Sequence, residues 1–329
     1  MKPILFTPTK TDYLVPYDGS FQMGKTTTEP PKGAPDKDDL KAALSEEIEA
    51  IADEQRKLYA DNRFSMLLVF QAMDAAGKDG TIRAVLSGVN PAGCQVTSFK
   101  RPSAEELDHD YLWRIQQALP ERGRIGVFNR SHYEETLAVR VHPNYLDAQQ
   151  LPRKPKAIWA ERFESIRGME QHLARNGVVI LKFFLNVSKN EQERSLVQRI
   201  DDPKRNWKFE GGDLKERALW PKYMKAFAQT LNETSRPWTP WYAIPADDKP
   251  YMRREVAHII HKTLESLDLH YPKLPDEEIA KLAEYRVALT GEAAPAPEED
   301  KPEGERAERT KKSKGKSKSK SKRSKKKKK

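Results

Sequence analysis

The sequence predicts a three-layer α/β protein with a central parallel sheet and helices on both of its faces. Short apolar segments of strand length recur along the chain, and a helical pattern or a helix-capping motif separates them. Strands that alternate with helices form parallel sheets, because each helix returns the chain to the edge where the previous strand began. The predicted strands are residues 65–71, 94–99, 125–128, 178–185 and 241–245.

The helices are predicted from periodicity and from capping signals. Leucine and isoleucine recur at helical spacing between residues 38 and 59, with charged residues between them. Ser103 with Glu106, and Ser188 with Glu191, each match the capping-box pattern that begins a helix. The predicted helices span residues 38–59, 78–87, 103–119, 155–176, 188–200 and 253–267.

Composition divides the chain into three parts. Residues 1–36 mix Pro, Gly, Thr and charges, which predicts an irregular N-terminal arm that buries little apolar surface. Residues 37–290 carry the alternating pattern and form one domain. Residues 291–329 are rich first in Ala, Pro and Glu and then in Lys and Ser, so we expect them to be a disordered tail.

Positive charge is concentrated in this tail. The formal net charge of the chain is +10, but residues 311–329 hold 13 of its 59 Lys and Arg residues and no acid. The rest of the chain has 46 basic residues against 49 acidic ones, a net charge of −3. The domain is therefore not predicted to bind nucleic acid. The tail is either a solvated segment or a non-specific contact for polyanions, which release counterions on binding.

The cellular compartment is predicted from cysteine usage and from the absence of long apolar segments. Cys94 is the single cysteine, which excludes an internal disulfide and fits a reducing cytosol. The first residues lack the apolar run of a signal peptide, and no segment approaches the roughly 20 apolar residues of a membrane span. We expect a cytoplasmic protein that does not enter a membrane.

A phosphate-binding loop is predicted within residues 67–81. Four apolar residues are followed by small residues and then by Gly77-Lys78, where the next helix begins. Such a turn directs backbone N–H groups and a helix N-terminus at a bound anion, and Lys78 adds a positive charge. The alternative is a helix cap at Gly77 with a solvated Lys78. Besides Lys78, the residues predicted to bind phosphate or nucleotide are Ala75, Ala76, Gly77, Asp79, Gly80 and Thr81.

The loop departs from the standard G-x-x-x-x-G-K-[ST] pattern at both ends. Ala72 replaces the first glycine, and Asp79 replaces the Ser or Thr whose hydroxyl binds magnesium. Asp74 lies inside the loop, where a carboxylate beside phosphate groups is favourable chiefly if a divalent cation bridges them. We therefore expect carboxylates of the loop to bind Mg²⁺.

A second group of polar residues follows the strand at 125–128. Asn129 and Arg130 should lie at the carboxyl edge of the sheet, where ligands of parallel sheets bind; the alternative for Arg130 is a surface ion pair. An amide is a weaker metal ligand than the usual Asp, and Glu134 or Glu135 would supply the missing charge. The predicted catalytic residues are Asp74, Lys78, Asn129 and Arg130, and the predicted metal ligands are Asp74, Asn129 and Glu134.

Three separated blocks of the sequence resemble the polyphosphate kinase 2 family. The first block is the loop at residues 72–80, and the second is Phe128-Asn129-Arg130-Ser131-His132-Tyr133-Glu134. The third comprises Glu193-Arg194, Arg199, Asp202-Pro203, Trp207-Lys208 and Arg217, and the likeness continues through residues 240–242 and 246–249. The resemblance covers about residues 40–268 and includes neither terminal arm.

The resemblance implies a P-loop kinase fold similar to thymidylate kinase, with a helical basic lid at about residues 188–236. It implies reversible Mg²⁺-dependent phosphoryl transfer between inorganic polyphosphate and AMP or ADP, giving ADP or ATP, and a homo-oligomer. The Walker-type Asp and Lys of the family fall on Asp74 and Lys78, and its strand-end pair falls on Asn129 and Arg130. Asn129 is similar to the third class of the family, which uses both AMP and ADP.

The lid is predicted to hold the polyphosphate chain by charge. A polyanion presents many equivalent phosphates, so a wall of Lys and Arg suits it better than a single pocket. Arg194 and Arg199 are five residues apart on a predicted helix and do not lie strictly on one face. The alternative is that such cations are ordinary solvated side chains. The residues predicted to bind polyphosphate are Arg194, Arg199, Lys204, Lys208 and Arg217, and Arg205 and Lys215 add further positive charge to the wall.

Four further residues are predicted to have structural roles. Trp207 is expected to pack within the lid, and His132 to support the second block, because transfer to a phosphate oxygen needs no strong base. His258 and His261 are three residues apart, but two histidines with no Cys near them do not by themselves make a metal site. We expect them to be ordinary surface histidines and not metal ligands.

Two other functions fit parts of the sequence. A nucleotide kinase of the P-loop class that uses ATP as donor would share the loop, but it would need fewer cationic contacts in the lid. A non-catalytic protein that binds nucleic acid or other polyanions through the tail would not need Asp74, Lys78 and Arg130. Polyphosphate-dependent transfer to a nucleotide accounts for all of these features.

Overall fold

Five parallel strands form the central sheet, in the order β2-β3-β1-β4-β5. The computed structural model describes residues 5–152 and 156–291, and the whole sheet lies in the unit Met1–Pro272. The strands are β1 (Ser65–Ala72), β2 (Cys94–Ser98), β3 (Ile125–Asn129), β4 (Val178–Asn186) and β5 (Trp241–Pro245). The predicted fold class and the positions of all five predicted strands are confirmed.

Strand β1 lies at the centre of the sheet and leads into the predicted phosphate-binding loop. Its residues 66–70 are at most 1% exposed. A strand that is buried on both faces forms a continuous apolar run, which is why this one was recognisable from sequence. Phe70 is in register with Asn129 on β3 and with Phe183 on β4. The ends of β1 and β3 therefore lie side by side at the carboxyl edge of the sheet.

Helices pack around this sheet in two groups. The helices of the unit Met1–Pro272 are α1 (Lys37–Asp61), α2 (Lys78–Val85), α3 (Ala104–Leu107), α4 (Trp113–Gln116), α5 (Ala138–Val141), α6 (Ile158–Arg175), α7 (Lys189–Asp201), α8 (Gly212–Ala218), α9 (Trp220–Thr234) and α10 (Lys249–Glu265). Helix α10 packs against α1 and α2, while α6 packs against β4 and α9.

The prediction of one helix over residues 103–119 is wrong, because the segment forms the two short helices α3 and α4. The capping box at its start does form, with Ser103 and Glu106 bonded to each other's backbone N–H groups. The carboxylate of Asp110 then accepts a hydrogen bond of 2.9 Å from the backbone N–H of Leu112. This local side-chain bond lies in the turn between Leu107, where α3 ends, and Trp113, where α4 begins.

The described part of the N-terminal arm is irregular, but the prediction that it buries little is wrong. Phe6 is 5% exposed and Val15 is fully buried. The backbone N–H of Val15 donates to Trp241 O at 2.9 Å, and that of Ala243 donates to Tyr13 O at 2.8 Å. The arm thus covers the outer edge of β5. An uncovered edge strand would expose unpaired backbone groups, so this pairing has a clear physical benefit.

The start of α10 and the end of the lid both differ from the prediction. Helix α10 begins at Lys249, because Asp248 caps it by accepting a 2.8 Å hydrogen bond from the Tyr251 N–H. Helix α9 lies inside the range assigned to the lid, yet Phe227 is buried and its ring centroid lies 4.5 Å from that of Phe184 on β4. The end of the predicted lid is therefore part of the core.

The unit that begins at Lys273 contains helix α11 (Asp276–Thr290), which the sequence did not predict. Its large apolar side chains are exposed, including Ile279, Leu282 and Leu289. An exposed apolar helix has no buried stripe, so periodicity alone gives a weak signal. The predicted disorder of the tail concerns residues that, apart from Gly291, lie outside the described part of the chain.

Within residues 5–152 and 156–291, no helix combines the length and the apolar character that a membrane span requires.

Candidate active site at the carboxyl edge of the sheet

The loop between β1 and α2 contains two residues in the left-handed region. Gly77 has φ of 100° and is the residue before the first turn of α2. Ala75 has φ of 64°, a conformation that is unfavourable for a residue with a side chain. These two residues set the direction of the loop before α2 begins at Lys78. The helix N-terminus at Lys78 agrees with the prediction.

Lys78 is folded back onto the loop. Its side chain is 9% exposed, and its ammonium group donates to Ala72 O at 3.1 Å and to Met73 O at 3.4 Å. Burial lowers the pKa of Lys78, and so does the nearby Arg130 guanidinium, while Asp74 oppositely favours the charged form. The alternative of a solvated Lys78 is wrong.

Arg130 meets both predicted acidic residues of the site. Its Nη2 lies 2.7 Å from Asp74 Oδ1, and its Nη1 lies 4.0 Å from Glu134 Oε2. Burial raises the pKa of Glu134, and the positive charges of Arg130 and Lys78 oppose that rise. The negative charge of Glu134 is the main cause of the raised pKa of Arg130. The structure therefore brings these four charged residues into one cluster.

Asn129 connects the end of β3 to the start of α2. Its Nδ2 donates to Asp79 Oδ1 at 2.8 Å, and Lys208 Nζ lies 3.9 Å from Asp79 Oδ2 on the other side. Asp79 is thus the point where the loop, β3 and the lid meet. These two contacts compensate the negative charge of Asp79, the residue that replaces the usual Ser or Thr of the loop.

Only one of the two candidate glutamates faces the site. Glu135 Oε2 forms an ion pair with Arg162 Nη1 at 2.9 Å and accepts a hydrogen bond from Gln149 Nε2 at 2.8 Å, and the residue is 5% exposed. The negative charge of Glu135 is therefore compensated by Arg162 inside the protein. Glu134, by contrast, lies beside Arg130. The sequence left open whether Glu134 or Glu135 lies beside Asn129 and Arg130, and in the structure Glu134 is the one near the cluster.

The donor set of the cluster fits a hard divalent cation that is shared with phosphate. Asp74, Asp79 and Glu134 supply carboxylate oxygens, and Asn129 supplies an amide oxygen. In the described part of the chain, no group of three or more His, Cys, Asp or Glu residues forms a ready-made metal cage. Mg²⁺ in kinases takes one or two carboxylates together with phosphate oxygens and water, so it needs no such cage.

The side chains of the other predicted phosphate-binding residues differ in their burial and in their contacts. Ala76 is fully buried, and Thr81 is fully buried with its hydroxyl donating to Gly77 O at 3.1 Å. Thr81 therefore shapes the first turn of α2, and its side chain does not reach the surface of the loop. A methyl group added at Gly80 would lie 3.2 Å from Arg253 Nη2, so Gly80 allows a cation to approach α2 closely.

The predicted basic wall is only partly arranged toward this site. Lys208 contacts the loop through Asp79, and Arg217 donates to Gln192 Oε1 at 3.0 Å. The Nε2 of Gln192 in turn donates to Asp74 O at 3.0 Å, so the lid and the loop are connected. Lys208 and Arg217 are therefore the predicted lid cations with a link to the loop in the described structure.

Of the remaining cations of the wall, Arg194 and Arg199 form ion pairs within the lid, and Lys204 is exposed. Arg199 Nη1 lies 3.5 Å from Asp213 Oδ2, and Arg194 Nε lies 3.1 Å from Glu191 Oε2. Arg194 is a largely exposed side chain. Lys204 follows the end of α7, where its backbone N–H donates to an oxygen of Asp202 at 3.0 Å. None of these three contacts reaches the loop.

Sequence reasoning missed two cations on α10. Lys249 and Arg253 follow β5, whose end lies at the same edge of the sheet as the loop. A methyl group added at Gly77 would lie 3.5 Å from the Lys249 side chain, and Arg253 approaches Gly80. The signal was available, because polar residues that directly follow a strand of a parallel sheet lie at its ligand-binding edge.

Two of the structural roles predicted for isolated residues are wrong. Trp207 is 77% exposed and does not pack within the lid. His258 and His261 are half-buried, and their Nδ1 atoms lie 2.8 and 2.6 Å from the two carboxylate oxygens of Glu47 on α1. Glu47 is distant in sequence, which is why the pairing could not be predicted from it. His132, expected to be structural, is indeed buried.

A profile of the polyphosphate kinase 2 family matches residues 34–272. The chain belongs to the polyphosphate kinase 2 family. It is 51% identical over 270 residues to an ADP-polyphosphate phosphotransferase of Rhodopseudomonas palustris, covering 81% of this chain and 93% of that protein. An AMP/ADP-polyphosphate phosphotransferase of Meiothermus ruber is 46% identical over 232 residues, 70% of this chain and 82% of that protein.

A solved structure agrees with this membership. The crystal structure of polyphosphate kinase 2 from Arthrobacter aurescens superimposes with a TM-score of 0.74 at 37% identity, covering 80% of this chain and 93% of that one. The resemblance stated from sequence is confirmed, and so is the predicted class of enzyme, a polyphosphate-dependent nucleotide phosphotransferase. Helix α11 and the tail lie beyond the residues that the polyphosphate kinase 2 profile matches.

Proposed function

We propose that this polyphosphate kinase 2 catalyses reversible transfer of a phosphoryl group between inorganic polyphosphate and both AMP and ADP, with Mg²⁺. The observation that carries the proposal is the meeting of Asp74, Lys78, Arg130 and Glu134 at the carboxyl edge of the sheet. The names of the two relatives support ADP as a substrate in one and both AMP and ADP in the other.

The residues of this cluster supply positioning and charge, which is what phosphoryl transfer requires of a protein. The backbone N–H groups from Ala75 to Gly80 and the ammonium of Lys78 hold the phosphates at the point of transfer. In this structure Arg130 is bonded to Asp74. When phosphate replaces Asp74 as its partner, Arg130 stabilises the charge of the transferring group. Asp74, Asn129 and Glu134 are the residues that would hold Mg²⁺. When bound, the ion neutralises phosphate charge.

The lid would bind the polyphosphate chain by exchanging ion pairs. Arg199 and Arg217 are paired with lid carboxylates, and Lys208 with Asp79. A phosphate that enters beneath the lid offers these cations a stronger acceptor than a partly solvated carboxylate. This supply of cations beside the loop favours polyphosphate over ATP as the donor, as the lid composition suggested.

We predict that Lys78→Ala and Asp74→Ala each abolish turnover and leave the fold intact. Both changes remove a charge that neutralises or orients phosphate, and losses of about a thousandfold are typical of such groups. The assay contains purified protein, Mg²⁺, polyphosphate and either AMP or ADP, and it measures ADP and ATP formed. Lys262→Ala, on the exposed face of α10, is the control and should be fully active. Near-normal turnover in either folded site variant would contradict the assignment.

The same assay separates the alternative functions. Transfer from ATP to a nucleotide without any use of polyphosphate would support the nucleotide kinase. Absence of transfer together with tight binding to DNA would support the polyanion-binding protein. Product formed from ADP but not from AMP would restrict the acceptor proposed here to ADP.

Assembly and location are also proposals. We propose a homo-oligomer because the resemblance implies one, and a cytoplasmic enzyme because Cys94 is the single cysteine. Light scattering on the purified protein would measure the oligomer, and a monomer at assay concentration would contradict it.

A further inference from the structure

The side chains of residues 130–134 divide between the charged cluster and the protein interior. The side chains of Arg130 and Glu134 lie in the charged cluster. The three residues between them, Ser131, His132 and Tyr133, are at most 2% exposed. This segment therefore presents two charged groups to the substrate and uses the polar groups between them inside the protein.

Arg130 has an unfavourable backbone conformation that its surroundings must maintain. Its φ of 64° lies in the left-handed region, which non-glycine residues adopt only when neighbouring contacts enforce it. On one side, the backbone N–H of Arg130 donates to Phe70 O at 3.1 Å. On the other side, the hydroxyl oxygen of Ser131 accepts a 3.1 Å hydrogen bond from the Tyr133 N–H. The turn after Arg130 is thus held from both ends.

A buried ion pair anchors this turn. Glu170 on α6 is 1% exposed, and its Oε1 accepts a hydrogen bond of 2.6 Å from the Tyr133 hydroxyl. Its Oε2 lies 2.6 Å from Nζ of Lys182, a fully buried residue on β4. Lys182 also donates to the Tyr133 hydroxyl oxygen at 2.9 Å, and His132 Nε2 lies 3.4 Å from Glu170. The hydroxyl of Tyr133 therefore sits between both charges.

The pair is charged near neutral pH. Burial lowers the pKa of Lys182 to about 8, against the opposing effect of Glu170. Burial would raise the pKa of Glu170, but Lys182 and the hydrogen bond from His132 lower it to about 2. A buried ion pair often contributes no more stability than apolar side chains of the same size. A contribution to stability is therefore a weak explanation for the presence of this buried pair. Its hydrogen bonds to Tyr133, within the turn after Arg130, are a more specific explanation.

We infer that Glu170, acting through Tyr133 with Lys182 as its counter-charge, is a positioning residue that keeps Arg130 directed at the transferring phosphate. The inference rests on the proposed function, because Arg130 acts on the substrate there. Neither Glu170 nor Lys182 reaches the site itself, so both act only through the turn.

The test uses Tyr133→Phe, which removes one hydroxyl and leaves the ion pair in place. We expect kcat to fall about tenfold, as for a small displacement of a catalytic group, while KM for ADP changes less than about twofold. Tyr242→Phe is the matched control, because Tyr242 on β5 is equally buried and no hydrogen bond joins its hydroxyl to Glu170 or Lys182. The control should keep its kcat and change the thermal midpoint little, because its buried hydroxyl has no hydrogen-bond partner in the described structure. An unchanged kcat in Tyr133→Phe would overturn the inference.

A double-mutant cycle distinguishes positioning from general structural support. If Tyr133 acts through Arg130, then Tyr133→Phe should lower kcat less than about twofold in an Arg130→Lys background. Glu170→Gln should show the same loss of effect in that background. A full tenfold fall in both backgrounds would overturn the inference. A wild-type chain without any transfer would instead overturn the proposed function, on which the role of Arg130 depends.

Discussion

Ala75 and Arg130 share the same unusual backbone conformation, each with φ of 64°. A left-handed conformation costs an L-residue about 1–2 kcal/mol, and such costs are concentrated at functional sites. Ala75 turns the loop before Gly77, and Arg130 turns the chain after β3. The two strained residues thus flank the charged cluster from two strands. At this scale, backbone strain accounts for the direction of the groups that we propose bind phosphate.

Replacing Ala75 by Gly should raise stability and lower activity. Glycine adopts the left-handed region without cost, so we expect the free energy of unfolding to rise by up to about 1 kcal/mol, while kcat falls because the loop becomes less ordered. Urea unfolding and initial rates measure the two effects.

The neighbouring residue provides the control for this substitution. Ala76 is fully buried and lies outside the left-handed region, so Ala76→Gly should destabilise the protein by about 1 kcal/mol. Equal destabilisation by the two changes would show that Ala75 is not strained.

At the scale of elements, the lid is a set of helices in which several arginines form ion pairs with acidic residues of the lid. Arg199 pairs with Asp213, and Arg217 pairs with Glu193. Lys208 instead crosses from the segment between α7 and α8 to Asp79 on α2. The lid therefore carries its charge in a form that phosphate can displace, and it contacts the loop at a small number of points.

Lys208→Ala should weaken polyphosphate binding more than it slows transfer. It removes the lid cation beside Asp79, and we expect KM for polyphosphate to rise about fivefold with kcat within about twofold. Arg205→Ala is the control, because Arg205 pairs with Asp202 and donates to Gln198 inside the lid. Steady-state kinetics at varied polyphosphate would measure both. A rise of the same size in Arg205→Ala would mean that general lid charge, and not Lys208, is responsible.

At the scale of the whole molecule, the chain joins a slightly acidic domain to a strongly basic tail. The net charge is −3 outside residues 311–329, and every ionisable residue within that range is basic. Aromatic residues are absent from the tail, so sequence-specific base recognition is not expected of it. We propose that the tail gathers long polyphosphate near the lid, because counterion release favours any polyanion.

Deleting residues 295–329 should raise the apparent KM for long polyphosphate chains more than for short ones. Only a long chain can contact the tail and the site together, which increases its effective concentration. A chain of equal length with the tail lysines replaced by Ser and Gly is the matched control and should behave like the deletion. Raising the salt concentration should remove the difference. An equal effect on long and short chains would contradict this role.

Local patterns in the sequence predicted most of the fold and the part of the sheet at which the candidate site residues meet. Strand β1 was visible because burial on both faces makes it continuously apolar, and Gly77-Lys78 marked the start of α2 through local backbone requirements. The helix predicted at 103–119 was correct only in its capping box, since the segment forms two short helices with a turn between Leu107 and Trp113. A structural feature that depends on residues close together in the sequence can be predicted from the sequence.

The sequence by itself determined the α/β class, the loop and the family, because these depend on local periodicity and on residue types in a fixed order. The tertiary structure alone decided that Glu134 joins the cluster while the adjacent Glu135 pairs with Arg162. It also decided that Glu170 and Lys182 meet at Tyr133. Adjacent or distant residues of the same type differ only in where packing places them, and packing joins segments that no local pattern connects.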